Sequence, residues 1–512
     1  MTWSSGYVTE VEYTYGYYSE SHPSLLALAC IYAGVSPPQS DSLHYLELGY
    51  GQGLGINFHA SAFDGTFWGT DFNPVQAARA QALSAAAANN AILKDDSFSD
   101  LAARKDLPDF DFIVLHGIWT WVSDDSRRAI VDIIKRKLKV GGIVYNSYNC
   151  KPGWAPAEPL RHLMTLYSDF SASESKGTLN NITGALEFCE EIASAGALYF
   201  QGNTSVRARL TAISSMNKNY LAHEYFNQNW ELMSFSDMVK WLSPAKVEYV
   251  CSAHLLDHIE PINIGDAGRR ILDSINHTVL KESVRDYFVN QQFRRDIFIK
   301  GPRRLLLEEQ RNLLRAQLFV LTSVSSEIPK TVQGALGAAS LQADIYEPVV
   351  AALAMDDYRA KTIDELLQHP DLRNTEFSKI VQALVVLVGA GHVFPAVFPT
   401  PEAKKKCTRL NAYLRHRAEY HDDVHYQVSP VTRSGVALNR IQQLILLARD
   451  AGLSSPEEQA PFVSKILLSQ GQTIVKDGKA IEDEGERLAE LVRLAADFAH
   501  RRLPVLQALE IA

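Results

Sequence analysis

"YLELGYGQGLG", residues 45–55, places four glycines within seven positions directly after a strand-like apolar run. Glycine has no Cβ, so a loop of this composition lets a ligand approach the backbone closely. The run also contains Glu47, and a carboxylate near the end of a buried strand must meet a hydrogen-bond donor or a positive charge. The stretch therefore predicts a strand that ends at a ligand site.

The composition indicates a globular protein and excludes several classes. The chain has 512 residues, of which 46% are hydrophobic and 21% charged, enough for about two to four domains. Its net charge of −9 argues against a dedicated nucleic-acid binder. The five cysteines lie far apart, which favours the reducing cytoplasm over a disulfide framework. We find no signal-peptide pattern and no apolar run of about 18 residues, so we expect no membrane span.

Strands and helices alternate in the first third of the chain, which predicts an α/β fold. Strands are predicted over residues 44–49, 66–71, 91–96, 110–117 and 141–149, and helices over 74–88 and 125–139. This alternation is typical of a parallel sheet with helices on both faces. Ligands of such sheets bind in the crevice at the carboxyl ends of the strands.

The later sequence extends this first domain and adds two more. Residues 155–234 are predicted to form a helical insertion, and strands within 235–253 and 293–301 are predicted to rejoin the sheet, so that the first domain covers residues 1–303. Residues 304–400 read as three helices followed by a short strand, the outline of a winged helix. Residues 401–512 contain two amphipathic helical stretches and are predicted to form a helical C-terminal domain.

The glycine loop excludes two common phosphate-binding motifs. A Walker A loop needs Lys and Ser or Thr after its last glycine, but Gly55 is followed by Ile56 and Asn57. The dinucleotide motif needs G-x-G-x-x-G, whereas these glycines recur at every second position. The pattern is Glu-x-Gly-x-Gly-x-Gly, which suits a nucleoside with an amino-acid tail whose ammonium meets Glu47.

Acidic residues end the next two predicted strands as well. Asp71 ends the second strand, where a carboxylate can accept both hydroxyl groups of a ribose. Asp95 and Asp96 end the third strand and precede Ser97 and Phe98, positions suited to an adenine amino group and ring. We expect Asp96 to contact the ligand and Asp95 to be solvated.

At these residues the chain resembles a known family, the class I S-adenosylmethionine-dependent methyltransferases, through "ELGYGQG", "GTDFNP", "KDDSF" and "FDFIVLHGIWTWV". The chain resembles more closely the bacterial methyltransferases that have a methyltransferase regulatory domain. These include rickettsial protein-lysine methyltransferases that act on outer-membrane proteins. This closer resemblance is found in the segments "YTYGYYSESHPSLLALACIYAG", "YNSYNCKPGW" and "NYLAHEYFN". The resemblance implies a Rossmann-like sheet and S-adenosylmethionine as the cofactor. It also implies a set of cofactor-binding residues: Glu47, Gly49, Gly51, Gly53, Asp71, Phe72, Asp96, Ser97 and His116.

Four residues are candidates for catalysis: His116, Tyr17, His22 and Trp119. His116, at the tip of the fourth strand, is placed where this fold faces the methyl acceptor, and a half-buried structural histidine is the alternative. Tyr17 and His22 precede the sheet and, with Tyr13, Tyr15 and Tyr18, would form either a lid or a packed collar. Aromatic residues flank the ends of strands four and five and are expected to wall the acceptor cleft, with core packing as the alternative: Trp119, Trp121, Tyr148 and Trp154.

The sequence predicts no metal site. Cys251, His254 and His258, and the histidines of "HRAEYHDDVH" (416–425), have ligand-like spacing but lack the second paired motif of a structural zinc site.

The expected activity is methyl transfer to a protein side chain, with lysine as the acceptor, because the residues beyond the sheet offer an extended docking surface. A small-molecule acceptor and a non-catalytic scaffold that binds the cofactor are the alternatives. The extra domains could instead serve a homodimer. No specific nucleic-acid partner is expected.

Overall fold

A central sheet of seven strands organises the computed structural model, which describes residue 7 and residues 14–40, 42–170, 178–476 and 478–512. The strands are β1 (Leu43–Leu48), β2 (Gly65–Thr70), β3 (Ile92–Lys94), β4 (Phe110–Leu115), β5 (Leu138–Asn149), β6 (Val247–Ser252) and β7 (Phe293–Lys300). Their order is β3-β2-β1-β4-β5-β7-β6. The first five are parallel, which confirms the predicted sheet.

The two late strands join this sheet, as the sequence predicted. β7 lies between β5 and β6 and is antiparallel to both. The complete sheet is therefore mixed, with five parallel strands, β7 antiparallel to its two neighbours and β6 at the edge.

Five helices flank the first five strands: α1 (Pro23–Tyr32), α2 (Leu54–Ala62), α3 (Pro74–Ala87), α4 (Phe98–Ala103) and α5 (Asp124–Lys137). Their ends follow standard capping chemistry. The Asn73 side chain accepts a hydrogen bond from Val75 N (3.0 Å) at the start of α3, and the Ser123 side chain caps α5. Basic residues in the last turn of α5 oppose the negative end of its dipole.

Side chains alternate between two apolar layers, one on each face of the sheet. Tyr45 and Phe112 point into one layer, together with residues of α1. Leu46 and Ile113 point into the other, which α5 covers. Both layers are buried, so the sheet is a rigid platform whose strand ends are positioned by packing.

Helices between β5 and β7 form the predicted insertion and its continuation. The insertion contains α6 (Glu158–Phe170), α7 (Thr178–Ser194), α8 (Leu198–Gly202), α9 (Thr204–Ser214) and α10 (Lys218–Tyr225). Four more helices lie around β6: α11 (Phe235–Leu242), α12 (Glu260–Asn263), α13 (Asp266–Asp273) and α14 (Thr278–Val289).

The segment from residue 304 to 400 contains the expected helices and strand, with additional strands. Its elements are α15 (Leu307–Ala316), β8 (Leu318–Leu321), β9 (Thr331–Gly334), β10 (Gly337–Ser340), α16 (Ala343–Ala354), β11 (Lys361–Thr362), α17 (Ile363–Leu366), α18 (Phe377–Gly389) and β12 (Val393–Ala396). β11, β8 and β12 form a small antiparallel sheet. The winged helix remains an interpretation of this arrangement.

The C-terminal segment is mainly helical and packs against the first domain. Its elements are α19 (Pro401–Arg417), β13 (Tyr426–Val428), β14 (Gly435–Ala437), α20 (Arg440–Asp450), α21 (Pro456–Ser469), β15 (Val475–Lys476), β16 (Lys479–Ala480), α22 (Glu484–Asp497) and α23 (Leu503–Ala508). Leu410 and Leu414 of α19 share one apolar cluster with Leu54 and Phe58 of α2. Within the described ranges, none of the helices combines the length and the apolar character that crossing a bilayer requires.

Candidate active site

The glycine loop after β1 takes, at Gly49, a left-handed backbone conformation that favours glycine. Gly49 has φ +74°, and a Cβ there would lie 2.3 Å from Ile118 Cδ1. Gly51 N donates a hydrogen bond to Asp71 Oδ2 (2.9 Å), which ties the loop to the end of β2. Gly49 and Gly51 line a cleft at the strand ends. The loop therefore presents bare backbone to that cleft.

Gly53 has a different role from the one the sequence predicted. It does not line the cleft but precedes α2 with φ +74°, and a Cβ there would lie 2.3 Å from the Cβ of Ala80. Its small size is required for packing α2 against α3, which lies beneath the loop.

Asp71, directly after β2, lines the cleft and is held in place by hydrogen bonds. Its carboxylate accepts hydrogen bonds from Gly51 N and from Asn73 N (3.1 Å). When the Gln76 amide is oriented to satisfy its own donors, its nitrogen lies 2.9 and 3.0 Å from the two Asp71 oxygens. Burial raises the pKa of Asp71 to about 7. The carboxylate is thus held in a fixed orientation by backbone donors, with one exchangeable side-chain donor on its cleft side.

Glu47 lies near the end of β1 and is much less well satisfied. Its described hydrogen bond comes from the Tyr45 hydroxyl at 3.4 Å, a long distance for an O–H donor. Burial raises the pKa of Glu47 to about 8. A cation that entered the cleft would stabilise the ionised carboxylate.

Polar residues that follow the end of β3 line the cleft together with an aromatic residue, Phe72. Asp96 forms an ion pair with Arg104 (3.0 Å) and lines the cleft, while Asp95 is exposed, in line with the prediction. Ser97 caps α4 by accepting a hydrogen bond from Asp100 N (3.2 Å). Phe72, Ser97 and Asp96 line the same cavity.

His116 lies at the tip of β4 in an aromatic and hydrogen-bonded setting. Its ring stacks on Tyr18 with centroids 3.8 Å apart, and its Nδ1 lies 2.8 Å from the Tyr145 hydroxyl. Burial lowers the pKa of His116 to about 4, so the imidazole is neutral near pH 7. It lines the cleft as predicted, and as a neutral ring it adds no positive charge there.

These groups line two adjoining cavities at the carboxyl ends of the strands. The first is lined by Glu47, the glycine loop and His116. The second is lined by Phe72, Asp96 and Ser97. Gly49 and Asp71 line both, so the two cavities form one elongated cleft.

The end of the cleft beyond the sheet is closed by residues that sequence reasoning did not assign. Tyr7 packs edge-on against Phe72 (5.6 Å) and against the His223 ring (5.4 Å), which bridges the sheet to α10. Glu224 lines the same end, beside Trp121, which the sequence predicted as a wall of the acceptor cleft. The segment "NYLAHEYFN" (219–227) was the only sequence signal for the α10 residues.

Three predicted catalytic residues, Tyr17, His22 and Trp119, do not line the cleft. Tyr17 is buried against Phe58 and Tyr426, so it joins the domains rather than covering a ligand. His22 caps α1 by accepting from Ser24 N (3.1 Å), and its Nε2 faces Arg433 O (3.0 Å). These contacts favour the packed collar for Tyr17 and His22, whereas Tyr18 lines the cleft and stacks on His116. Tyr13 lies outside the described residues.

Trp119 is also a core residue rather than a wall of the cleft. It is fully buried against Trp241, with ring centroids 5.9 Å apart. Tyr148 donates to Asp296 (2.6 Å), and Trp154 packs beneath Arg209. Of the four aromatic residues proposed as walls, Trp121 is the one that lines the cleft.

The histidine clusters make ordinary hydrogen bonds and ion pairs. His258 Nε2 lies 2.7 Å from Ser252 O, and His416 Nδ1 lies 2.7 Å from Glu419. Among the described residues, no group of three or more His, Cys, Asp or Glu side chains is arranged to hold a metal ion. All five cysteines are free and buried.

Two family profiles match the chain. The profile described as a methyltransferase domain matches residues 46–142, which span β1 to β4 and the start of β5. The profile described as a predicted methyltransferase regulatory domain matches residues 217–300, from α10 to the end of β7. The cleft is lined by residues from both matched regions.

Relatives extend over the whole chain. An uncharacterized protein of Synechocystis sp. is 38% identical over 517 residues and covers 100% of both chains. An uncharacterized protein of Rickettsia prowazekii is 24% identical over 290 residues, 56% of this chain and 51% of that protein. The structure of PKMT2 from Rickettsia typhi in complex with AdoHcy superposes with a TM-score of 0.70 at 17% identity and covers 97% of this chain and 99% of that one. That likeness shows a shared fold over the full length.

Proposed function

Because the chain belongs to the class I S-adenosylmethionine-dependent methyltransferases that carry a methyltransferase regulatory domain, we propose that it methylates a protein side chain and that lysine is the acceptor. The enzyme class and the cofactor follow from the family. The acceptor and the roles of individual residues are the proposal.

The residues of the cleft suit this cofactor. Gly49 and Gly51 line the cleft without side chains, so a ligand can approach the loop backbone closely. Among the described residues, the Glu47 carboxylate accepts a single, long hydrogen bond, and it suits the ammonium of the amino-acid tail. Asp71 suits the ribose hydroxyls, which can replace or join the Gln76 amide. Asp96, Ser97 and Phe72 line the part that suits the adenine.

The chemistry divides simply between cofactor and protein. When bound, S-adenosylmethionine supplies a methyl group that is already activated by the sulfonium. The chain's own residues must then hold an acceptor in line, exclude water and accept the proton that the acceptor loses. A lysine ammonium has a pKa of about 10.4 in water, and burial against aromatic residues such as Trp121 lowers it toward the neutral, nucleophilic amine.

A polypeptide acceptor is favoured by the amount of structure beyond the sheet. The chain continues for roughly two hundred residues after β7, and a protein acceptor needs an extended docking surface of about 800 Å² per partner. The resemblance to rickettsial protein-lysine methyltransferases supports the same acceptor. Homodimerisation is the competing use of this surface.

Labelling with a radioactive methyl donor tests the acceptor. The full chain is incubated with labelled S-adenosylmethionine and a fractionated bacterial lysate, beside a control with heat-inactivated protein. We expect label in the protein fraction that survives base treatment, since N-methyl bonds are stable where methyl esters hydrolyse, and that maps to lysine. Label confined to small molecules would favour the metabolite alternative. Cofactor binding without transfer to any fraction would favour the scaffold.

A further inference from the structure

Glu224 enters the cleft from outside the sheet. It lies on α10, whose start is fixed by the Asn217 side chain, which accepts a hydrogen bond from Asn219 N (2.8 Å). The neighbouring His223 is buried and its ring packs against Tyr7 at a tilted angle. These contacts hold α10 against the end of the cleft where Glu47 and His116 also lie.

The half of the cleft that Glu224 enters is lined by acidic side chains. Among the described residues that line it, three are carboxylates, Glu47, Asp71 and Glu224, and none is lysine or arginine. His116 is neutral near pH 7 because burial lowers its pKa to about 4. The cleft therefore favours ligands with positive charge.

Glu224 has no described partner within the protein. Within the described ranges, its carboxylate forms neither a hydrogen bond nor an ion pair with another side chain or with backbone. Burial raises the pKa of Glu224 to about 7, so its ionised form is costly in the ligand-free cleft. Among the described residues, Tyr7, Tyr220 and Tyr225 have phenol groups that interact with its charge. A half-buried carboxylate in the wall of a cleft, without a partner among the described residues, is an arrangement that a bound cation would complete.

The cofactor accounts for two of the three carboxylates. Under the proposed function, its ammonium is assigned to Glu47 and its ribose to Asp71. Because the cofactor leaves Glu224 without a group to bind, we infer that Glu224 binds the ammonium form of the methyl acceptor on entry, before the amine loses its proton for methyl transfer, so that the acceptor is a primary amine rather than a hydroxyl, thiol or carboxylate. This inference rests on the proposed function and specifies its acceptor site.

The surrounding rings support the same chemistry. Tyr7, Tyr18 and Trp121 line the cleft together with Glu224. Aromatic faces attract ammonium groups, and the attraction grows when water is excluded. An alkylammonium chain therefore finds apolar contact for its methylene groups and a carboxylate for its head.

n-Butylamine, which matches the end of a lysine side chain, provides the probe. Its binding is measured by calorimetry at about pH 8.5, where Glu224 is ionised and the amine is still protonated, with the full chain saturated by S-adenosylhomocysteine. We expect the wild type to bind n-butylamine and not n-butanol. E224Q should weaken this binding by about tenfold or more, and E224D should restore part of it. E248Q is the matched control, because Glu248 is exposed on β6 in the same matched region.

Two further titrations separate the alternatives. S-Adenosylhomocysteine affinity of E224Q should equal that of the wild type, and so should its thermal unfolding midpoint at about pH 5, where Glu224 is protonated in the folded chain. If the wild type does not bind n-butylamine, or if E224Q binds it equally well, the inference is overturned. It is also overturned if E224Q loses affinity for S-adenosylmethionine but not for the product, since Glu224 would then serve the sulfonium. Failure to label protein in a lysate, with n-butylamine binding intact, would contradict only the polypeptide acceptor.

Discussion

At the residue scale, the cleft depends on a few residues that fix the conformation of the glycine loop and also face the ligand. Gly49 combines a left-handed backbone with contact to Ile118. Asp71 accepts two backbone N–H groups and still faces the cleft. Ligand binding and loop conformation therefore depend on the same atoms, and each substitution must be paired with a control that shares its backbone cost.

Replacing Gly49 with alanine should weaken cofactor binding by more than the cost of a left-handed backbone conformation at alanine explains. The added Cβ would lie 2.3 Å from Ile118 Cδ1, so the loop or Ile118 must move. We expect cofactor affinity to fall by about tenfold or more and stability by about 1–3 kcal/mol. Gly141→Ala is the control, because Gly141 has a similar φ of +80° with open space around it. Calorimetry and urea unfolding measure both effects; equal losses in the two variants would contradict the steric account.

At the element scale, the sequence predicted the strands and the groups at their ends but not the helix that faces them. Apolar runs and alternation locate strands, and parallel strands place their carboxyl ends together, so Glu47, Asp71 and Asp96 could be assigned. The helical pattern of α10 locates a helix without indicating what it packs against, which left Glu224 unassigned. Tyr17 and Trp119 were misplaced because a buried aromatic residue reads the same in a core and in a cleft.

The strand-end carboxylates predict an unusual pH dependence for the ligand-free protein. The folded pKa of Glu47 is about 8 and lies above its ordinary value of 4.5, so its contribution to stability is complete below about pH 4.5 and is lost as pH rises toward 8. Each unit of pKa displacement corresponds to about 1.4 kcal/mol.

Glu47→Gln removes this titration. Compared with the wild type, the variant should become progressively more stable between about pH 5 and pH 8.5. Thermal unfolding at several pH values measures the difference. Glu248→Gln, on an exposed site of β6, should run parallel to the wild type. A constant difference between Glu47→Gln and the wild type would show that Glu47 titrates normally in the folded chain.

At the scale of the whole molecule, the C-terminal half shares its core with the first domain. α19 contacts α2 and α3, the helices that follow the glycine loop and Asp71. His22 faces Arg433 O, and Tyr17 contacts Tyr426. Removing residues 304–512 would expose these apolar surfaces, so point substitutions test the role of the C-terminal half more cleanly than truncation.

Leu410→Ala should destabilise the chain as a unit. Leu410 is fully buried between α19 and α2, and truncating such a leucine costs about 2–5 kcal/mol. Leu307→Ala is the control, because Leu307 is 74% exposed. Urea unfolding followed by both fluorescence and circular dichroism should give one shifted transition for Leu410→Ala. Two separate transitions, with only one shifted, would show that the halves fold independently.

The central claim is that carboxylates at adjacent strand ends hold the cofactor, and a calorimetric titration with S-adenosylhomocysteine tests it most directly. Asp71→Asn keeps the shape of the side chain but removes the charge and one acceptor that the ribose hydroxyls would use. We expect this variant to bind about tenfold or more weakly, equal to a loss of about 1.4 kcal/mol or more. Asp95→Asn, on the exposed neighbour of Asp96, should bind like the wild type. Unchanged affinity in Asp71→Asn would contradict the assignment of the cleft.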